Sequence, residues 1–256
     1  IHRTGDLTFP SGLLLPGSYE YQAGAGNIAV GSTSGNLTIT PTGVLDLGTG
    51  GNLLVSGNFF NLGTLKNGAG SNISIGTLTI TEGDTNLTGG VTVNTIHLSS
   101  GNLILNSSST GVQLTTVNVS STGNLSIKGG ARANIGSLNF TGGNVLLESS
   151  ASANVSTSLS MVSTSGNFSM NSGSSLFVGY DVTSPATFAA NVLQLDPASS
   201  VIFAGNATLS LRADQLLGQV VSSANLNLLS SANLSGLTLN SGANLTTGGQ
   251  SLTVNG

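Results

Sequence analysis

The sequence contains no cysteine and no tryptophan, and only 5% of its 256 residues are charged. Without cysteine the chain can form neither a disulfide nor a thiolate metal site. It has five lysines and arginines in total and a net charge of −4, so the basic patch that nucleic acid binding requires is missing. No apolar run approaches the ~20 residues of a helical membrane span. We therefore expect no nucleic acid partner and no membrane span.

The residues that are present favour a folded core. Hydrophobic residues make up 38% of the chain, whereas intrinsic disorder requires low hydrophobicity. Serine, threonine, asparagine and glycine take the place of most charged residues, a surface composition typical of extracellular proteins. The chain begins at Ile1 rather than methionine, so we expect it to be either processed or a fragment, and a removed signal peptide is one natural explanation. We expect an extracellular or cell-surface location.

A short motif of glycine, asparagine and alternating apolar residues recurs along the chain, for example GNLSI at 123–127 and GNVLL at 143–147. Its asparagines are 22, 20 and 23 residues apart at Asn102, Asn124, Asn144 and Asn167. A second motif recurs every 21 residues, led by Ile96, Val117, Leu138 and Leu159. A period near 21 with alternation inside it is typical of a β-solenoid. Glycine interrupts any candidate helix.

The sequence therefore predicts an all-β fold: one parallel β-helix with about 21 residues per coil, two to three short strands per coil and roughly ten to eleven coils. Leu125 and Ile127 should point inward and Asn124 and Ser126 outward, because strand side chains alternate. Glycine, with asparagine next, should occupy corners with positive φ. Short pieces such as ANIG at 133–136 and ANVS at 153–156 suggest a third side.

The chain divides into two regions. Residues 1–30 differ in composition and are predicted to form an N-terminal cap or joining segment, because the end of a solenoid exposes unpaired backbone groups. Residues 31–256 form the predicted β-solenoid, which is less regular at 171–223. Residues 213–221 weakly resemble a helical turn, but the flanking segments still alternate, so one domain is expected.

The segment NLGTLKNGAGSNISIG at 61–76 and the GNLSI motif, on a cysteine-free repeat near twenty residues, resemble filamentous haemagglutinins and autotransporter passenger domains. Members of these families are bacterial surface adhesins built as right-handed β-helices. The resemblance covers roughly residues 31–256, and it implies an adhesive role at a cell surface.

No cluster of residues predicts a chemistry. Among the nine acids the nearest pair is Glu82 and Asp84, in the loop TEGD, and Ca²⁺ would use such oxygens. Two carboxylates without a third favour a solvated turn. His97, at an outward strand position, and His2 are expected to be ordinary surface residues. Asp181 likewise carries no predicted role, so we expect no catalytic residue, no metal and no cofactor.

Two further features concern the surface. Lys128 and Glu148 follow equivalent motifs one coil apart, which predicts an exposed ion pair on neighbouring strands. The chain contains twelve Asn-X-Ser/Thr sequences, including those at Asn36, Asn124 and Asn167. They follow largely from the strand pattern itself, and they permit glycosylation where the host supports it.

These observations favour a structural or adhesive surface protein that forms a rod. Its expected partners are further copies joined end to end, other surface components, or glycans. A carbohydrate-active β-helix enzyme, a lyase or hydrolase, is the alternative, and it would need clustered carboxylates. An ice-binding solenoid would need a flat array of threonines, and the outward series breaks beyond its first members: Thr38, Thr40, Thr77, Thr79 and Thr81. A phage or virus fibre is a further alternative.

The last segment, SLTVNG at 251–256, still follows the alternating pattern, and Leu252 and Val254 repeat the inward pair. An open parallel edge recruits other strands unless it is charged, bulged or covered. We therefore expect the last coil not to face bulk water. Either the chain continues in a longer precursor, or the coil docks head to tail on another copy.

Overall fold

The structure is a computed structural model that describes residues 7–9, 13–15, 20–22, 27–30, 35–106, 111–161, 166–178, 186–190, 193–195, 200–203, 207–211, 216–228 and 230–255. These residues form strands and the turns between them, and none of them lies in a helix. Within these ranges, no helix of the length and hydropathy needed to cross a membrane is found.

The strands alternate with glycine-rich and serine-rich turns. The first half of the chain contains β1 (Leu7–Phe9), β2 (Leu13–Leu15), β3 (Glu20–Gln22), β4 (Asn27–Val30), β5 (Leu37–Ile39), β6 (Val44–Asp46), β7 (Asn52–Asn61), β8 (Thr64–Lys66), β9 (Asn72–Ile80), β10 (Asp84–Leu87), β11 (Gly90–Leu98), β12 (Asn102–Leu105), β13 (Val112–Val119) and β14 (Asn124–Ile127). The second half contains β15 (Arg132–Phe140), β16 (Asn144–Leu147), β17 (Ser152–Met161), β18 (Asn167–Met170), β19 (Ser175–Val178), β20 (Ala186–Ala190), β21 (Leu193–Leu195), β22 (Ser200–Phe203), β23 (Ala207–Leu211), β24 (Leu216–Ser222), β25 (Leu226–Leu228), β26 (Ala232–Leu239), β27 (Leu245–Thr246) and β28 (Leu252–Val254).

The strands form three parallel sheets. The first sheet has 15 strands and runs from β1 to β28, mostly through alternate strands of the chain. The second has nine strands, from β3 to β21, and the third contains β20, β23, β25 and β27. Each strand pairs in parallel with its counterpart one coil away, as between β11 and β13 or β12 and β14. This is the predicted β-solenoid.

The register gives the length of each coil. Ile73, Val91, Val112 and Ala133 are successive partners in the first sheet, so these coils contain 18, 21 and 21 residues. The second sheet stacks about nine turns, and the third sheet appears after β19, in the region that the sequence shows as less regular. The predicted repeat length is therefore confirmed.

In the regular part of the chain each coil has one long and one short strand. The long strand β15 contains both ANIG and SLNF, which the sequence suggested were separate sides. Its register with β17 shifts between Ile135 and Ser137. Because parallel pairing continues on both sides of this shift, the two segments form one continuous strand rather than two separate strands.

The core follows the predicted alternation. Leu125, Ile127 and Leu138 are each 1% exposed and Phe140 is 2% exposed, while the intervening Asn124 and Ser126 are half-buried. Phe140 meets Phe168 of the next coil edge to face, with ring centroids 6.5 Å apart. Stacks of this kind bury the apolar surface that stabilises the solenoid.

One buried polar contact links neighbouring coils. Asn61 is fully buried, and its side-chain amide donates to the Thr85 hydroxyl at 2.7 Å and to the Asp84 carbonyl at 3.2 Å. Its side-chain oxygen accepts the backbone N–H of Gly63 at 3.1 Å. Because both the nitrogen and the oxygen of this buried amide have hydrogen-bond partners, its burial avoids the free-energy cost of an unsatisfied polar group.

The corners use glycine as expected and asparagine differently. Gly83 and Gly143 have φ of 69° and 76°, a backbone conformation that side chains with a Cβ disfavour. The described residues other than glycine with positive φ are Ser121 and Ser150, so no asparagine takes this role there. The expectation for asparagine was wrong, because its side chain serves another purpose that is described below.

Two irregular regions also differ from expectation in detail. Within residues 1–30, β1 pairs with β4, β2 with β5 and β3 with β6, all in parallel, so these strands belong to the same stack. Whether the segment also acts as a cap or joining piece stays a prediction. Residues 216–222 form a strand rather than a helical turn, since β24 pairs with β22 and β26.

Candidate functional site

Asp46 and Asp84 each accept a hydrogen bond from a different partner. Asp46 accepts the backbone N–H of Gly48 at 2.8 Å, and Asp84 accepts the Asn102 amide at 2.7 Å. Glu82 is exposed in the turn before Asp84. Among the described residues no three of His, Cys, Asp or Glu lie close enough to hold a metal ion. Asp181 and His2 lie outside the described residues.

The predicted ion pair is present. Lys128 Nζ lies 2.5 Å from Glu148 Oε1, and the two side chains are 39% and 30% exposed. The preceding residues Ile127 and Leu147 are direct partners in the second sheet, which places the pair on adjacent strands. The register read from the sequence is therefore confirmed at this position.

A ladder of side-chain amides runs along the second sheet. Asn167, Asn144, Asn124, Asn102 and Asp84 occupy the same position on successive strands. Each amide donates to the side-chain oxygen of the residue one coil earlier, at distances from Asn167 to Asp84 of 3.3, 2.6, 3.0 and 2.7 Å. All four bonds point the same way, and the chain of donors ends on a carboxylate, which is an acceptor only.

On the first sheet, asparagine side chains form pairs rather than a long ladder. Asn139 donates to Asn118 at 2.9 Å, and Asn154 donates to Asn134 at 3.3 Å. His97 is exposed, as predicted, with its Nδ1 3.4 Å from the Asn118 amide nitrogen. This geometry holds the imidazole beside an amide rather than beside a carboxylate or a nucleophile.

The outward threonines form a short column. Thr77, Thr95 and Thr116 are successive partners on β9, β11 and β13, and Ser137 follows them. The neighbouring column runs from Thr38 through Phe60, Thr79 and His97 to Asn118. The paired threonine ranks that an ice-binding face needs therefore do not extend along this sheet.

A shallow groove lies on the outer face of the first sheet. It consists of two depressions of about 760 Å³ and 310 Å³ that share Thr92. The first reaches from Leu54 through Ser74 to Thr92, and the second from Thr92 through Gln113 to Asn134. Among the described residues that line them, none is charged. The sequence did not predict this groove.

Comparison of the chain with models of protein families, with curated proteins and with solved structures finds no match. The class of protein is therefore defined by the fold alone: a parallel β-solenoid whose surface is built from uncharged amides and hydroxyls.

Proposed function

We propose that this protein is a structural and adhesive component of an extracellular or cell surface, that it has no catalytic activity, and that it acts as a rod. The observation that carries the proposal is the repetition of uncharged polar side chains along the stack, exemplified by the amide ladder from Asn167 to Asp84. Equivalent polar groups recur on successive coils, whereas an active site would bring several different reactive groups together at one place.

The distribution of titratable groups supports the same proposal. Hydrolases and lyases need two or more carboxylates placed together. Here Asp46, Asp84 and Glu148 are each engaged with a different partner on a different coil. Each of them therefore fits a structural role.

End-to-end assembly is the second part of the proposal. Val254 is the register partner of the fully buried Leu234 and so occupies a core-facing position, yet it is 45% exposed. Leu252 is only partly buried against the core. A further coil stacked on β28 would cover both residues. That coil can come from a continuation of the chain or from a second copy docked head to tail, which gives an open filament.

Negative-stain electron microscopy and sedimentation at micromolar concentration test the proposal. The first sheet has 13 strands in its main path, so the stack predicts a rod roughly 60 Å long at ~4.8 Å per strand. Rods or filaments with this axial repeat are expected. Compact particles of equal dimensions would contradict the rod, and monomeric rods at all concentrations would contradict the head-to-tail contact.

A further inference from the structure

We propose that the groove on the first sheet binds a neutral, linear polysaccharide made of pyranose units. This inference rests on the proposed function, because it gives the adhesive part of that function a class of ligand.

One column of outward side chains contributes to the lining along the whole groove. Leu54, Ser74, Thr92, Gln113 and Asn134 are successive register partners on β7, β9, β11, β13 and β15. Four strand spacings separate the first from the last, a distance of ~19 Å. The site is therefore long and narrow, and it runs along the stacking axis, which fits an extended chain better than a compact small molecule.

The polar groups in this column differ from those of the asparagine ladder on the second sheet. The side chains of Ser74, Thr92 and Gln113 make no hydrogen bond to any described residue, and the Asn134 amide engages only through its oxygen, which accepts from Asn154. By contrast, the asparagines of the second sheet are joined to one another coil by coil. The groove thus presents hydroxyl and amide groups that remain available to a ligand.

The chemistry of the lining selects the ligand. Hydroxyls and amides both donate and accept hydrogen bonds, which matches the hydroxyls of a sugar. No charged residue lies among the described lining residues, so an anionic polymer would lose solvation without gaining a cationic partner. Leu54 is 49% exposed at one end and supplies an apolar contact for the carbon face of a pyranose ring.

The spacing of the lining side chains also matches the repeat of an extended polysaccharide. Successive strands place equivalent donors ~4.8 Å apart, which is close to the length of one pyranose unit in an extended glycan. Each sugar would therefore meet the side chain of one coil. Along four spacings the groove accommodates roughly four units.

The test is isothermal titration of the full chain with cellohexaose, mannohexaose and maltohexaose, and with a galacturonic acid hexamer as the anionic control. At least one neutral hexasaccharide is expected to bind, and the anionic one is not. Thr92→Ala and Gln113→Ala should each weaken binding by about fivefold to tenfold, as expected when one hydrogen bond is lost. Ser74→Trp should fill the groove and abolish binding.

Matched controls keep the result interpretable. Thr122→Ala and Gln250→Ala remove the same side chains away from the groove and should leave affinity unchanged, and circular dichroism checks that every variant is folded. Absence of binding to all three neutral glycans, equal binding of the anionic hexamer, or unchanged affinity in the groove variants would overturn the inference. If the protein still forms rods in that case, only the groove inference fails. If rods are absent, the proposed function fails.

Discussion

The side-chain amide of Asn102 donates a 2.7 Å hydrogen bond to a carboxylate oxygen of Asp84, one coil earlier in the stack. This contact ends a ladder in which Asn124, Asn144 and Asn167 each donate in the same direction. Asparagine therefore recurs in the motif because its amide both donates and accepts at one strand spacing.

The ladder predicts a graded loss of stability. Asn124→Ala removes two ladder bonds, one donated to Asn102 and one accepted from Asn144, whereas Asn167→Ala removes one bond of 3.3 Å. We expect a loss of about 1–2 kcal/mol for Asn124→Ala and about half of that for Asn167→Ala. Urea unfolding measures both values. Equal effects at the two positions would show that the ladder bonds do not contribute.

The fold was largely predictable because the solenoid repeats a local pattern. Lys128 and Glu148 follow the same motif one coil apart, so their contact followed from the spacing alone. The ladder was not predicted, because the sequence gives the position of Asn124 but not the direction of its amide. The sequence pattern predicted asparagine at corners because it tolerates positive φ. In the structure its side chain instead bonds to the asparagine of the neighbouring coil.

Strand β15 and the irregular region were harder to predict, because tertiary pairing decided both. ANIG at 133–136 was interpreted as part of a third side, yet it is continuous with SLNF in β15, because parallel pairing on both sides of the register shift holds the strand together. Residues 216–222 contain Leu216 and Leu217, which favour a helix, but pairing with β22 and β26 overrides that local preference. The groove was not predicted, because the motif gives the spacing of the lining residues but not the shape of the surface that they form.

The Lys128–Glu148 pair should be weak. Both side chains are about one-third exposed, so solvent screens the attraction. A double-mutant cycle with Lys128→Ala and Glu148→Ala should give a coupling of at most ~1 kcal/mol. The coupling should fall in high salt, since the Debye length shrinks. A coupling independent of salt would contradict a screened surface pair.

Buried and exposed phenylalanines provide a matched comparison. Phe168 is fully buried and meets Phe140, whereas Phe60 lies on the outer face and is 39% exposed. Phe168→Ala should destabilise the protein by about 3–5 kcal/mol, because it leaves a cavity. Phe60→Ala should cost markedly less, about 1 kcal/mol, because its side chain is partly exposed and its removal leaves no enclosed cavity. Thermal and urea unfolding of both variants measure the difference, and a similar loss in both would contradict the assigned inward and outward faces.

Corner glycines should differ in how strictly they are required. Gly50 and Gly143 both have positive φ, of 79° and 76°. A Cβ on Gly50 meets nothing within 4 Å, whereas a Cβ on Gly143 would collide with the backbone oxygen of Gly123 one coil away. Gly50→Ala should cost about 1 kcal/mol from the backbone conformation alone. Gly143→Ala should cost more, and the free energy of unfolding of each variant decides this. A smaller loss for Gly143→Ala would mean that the coils are not in close contact there.

The distance between spin labels on different coils tests the stacked solenoid most directly. The chain has no cysteine, so two introduced cysteines are labelled without interference. Leu54 and Asn134 lie four strands apart in one column, and Leu54 and Phe177 lie six apart. Pulsed electron–electron double resonance should give two narrow distance distributions, and their centres should differ by two strand spacings, ~10 Å. Broad distributions, or equal distances for the two pairs, would contradict the parallel stack.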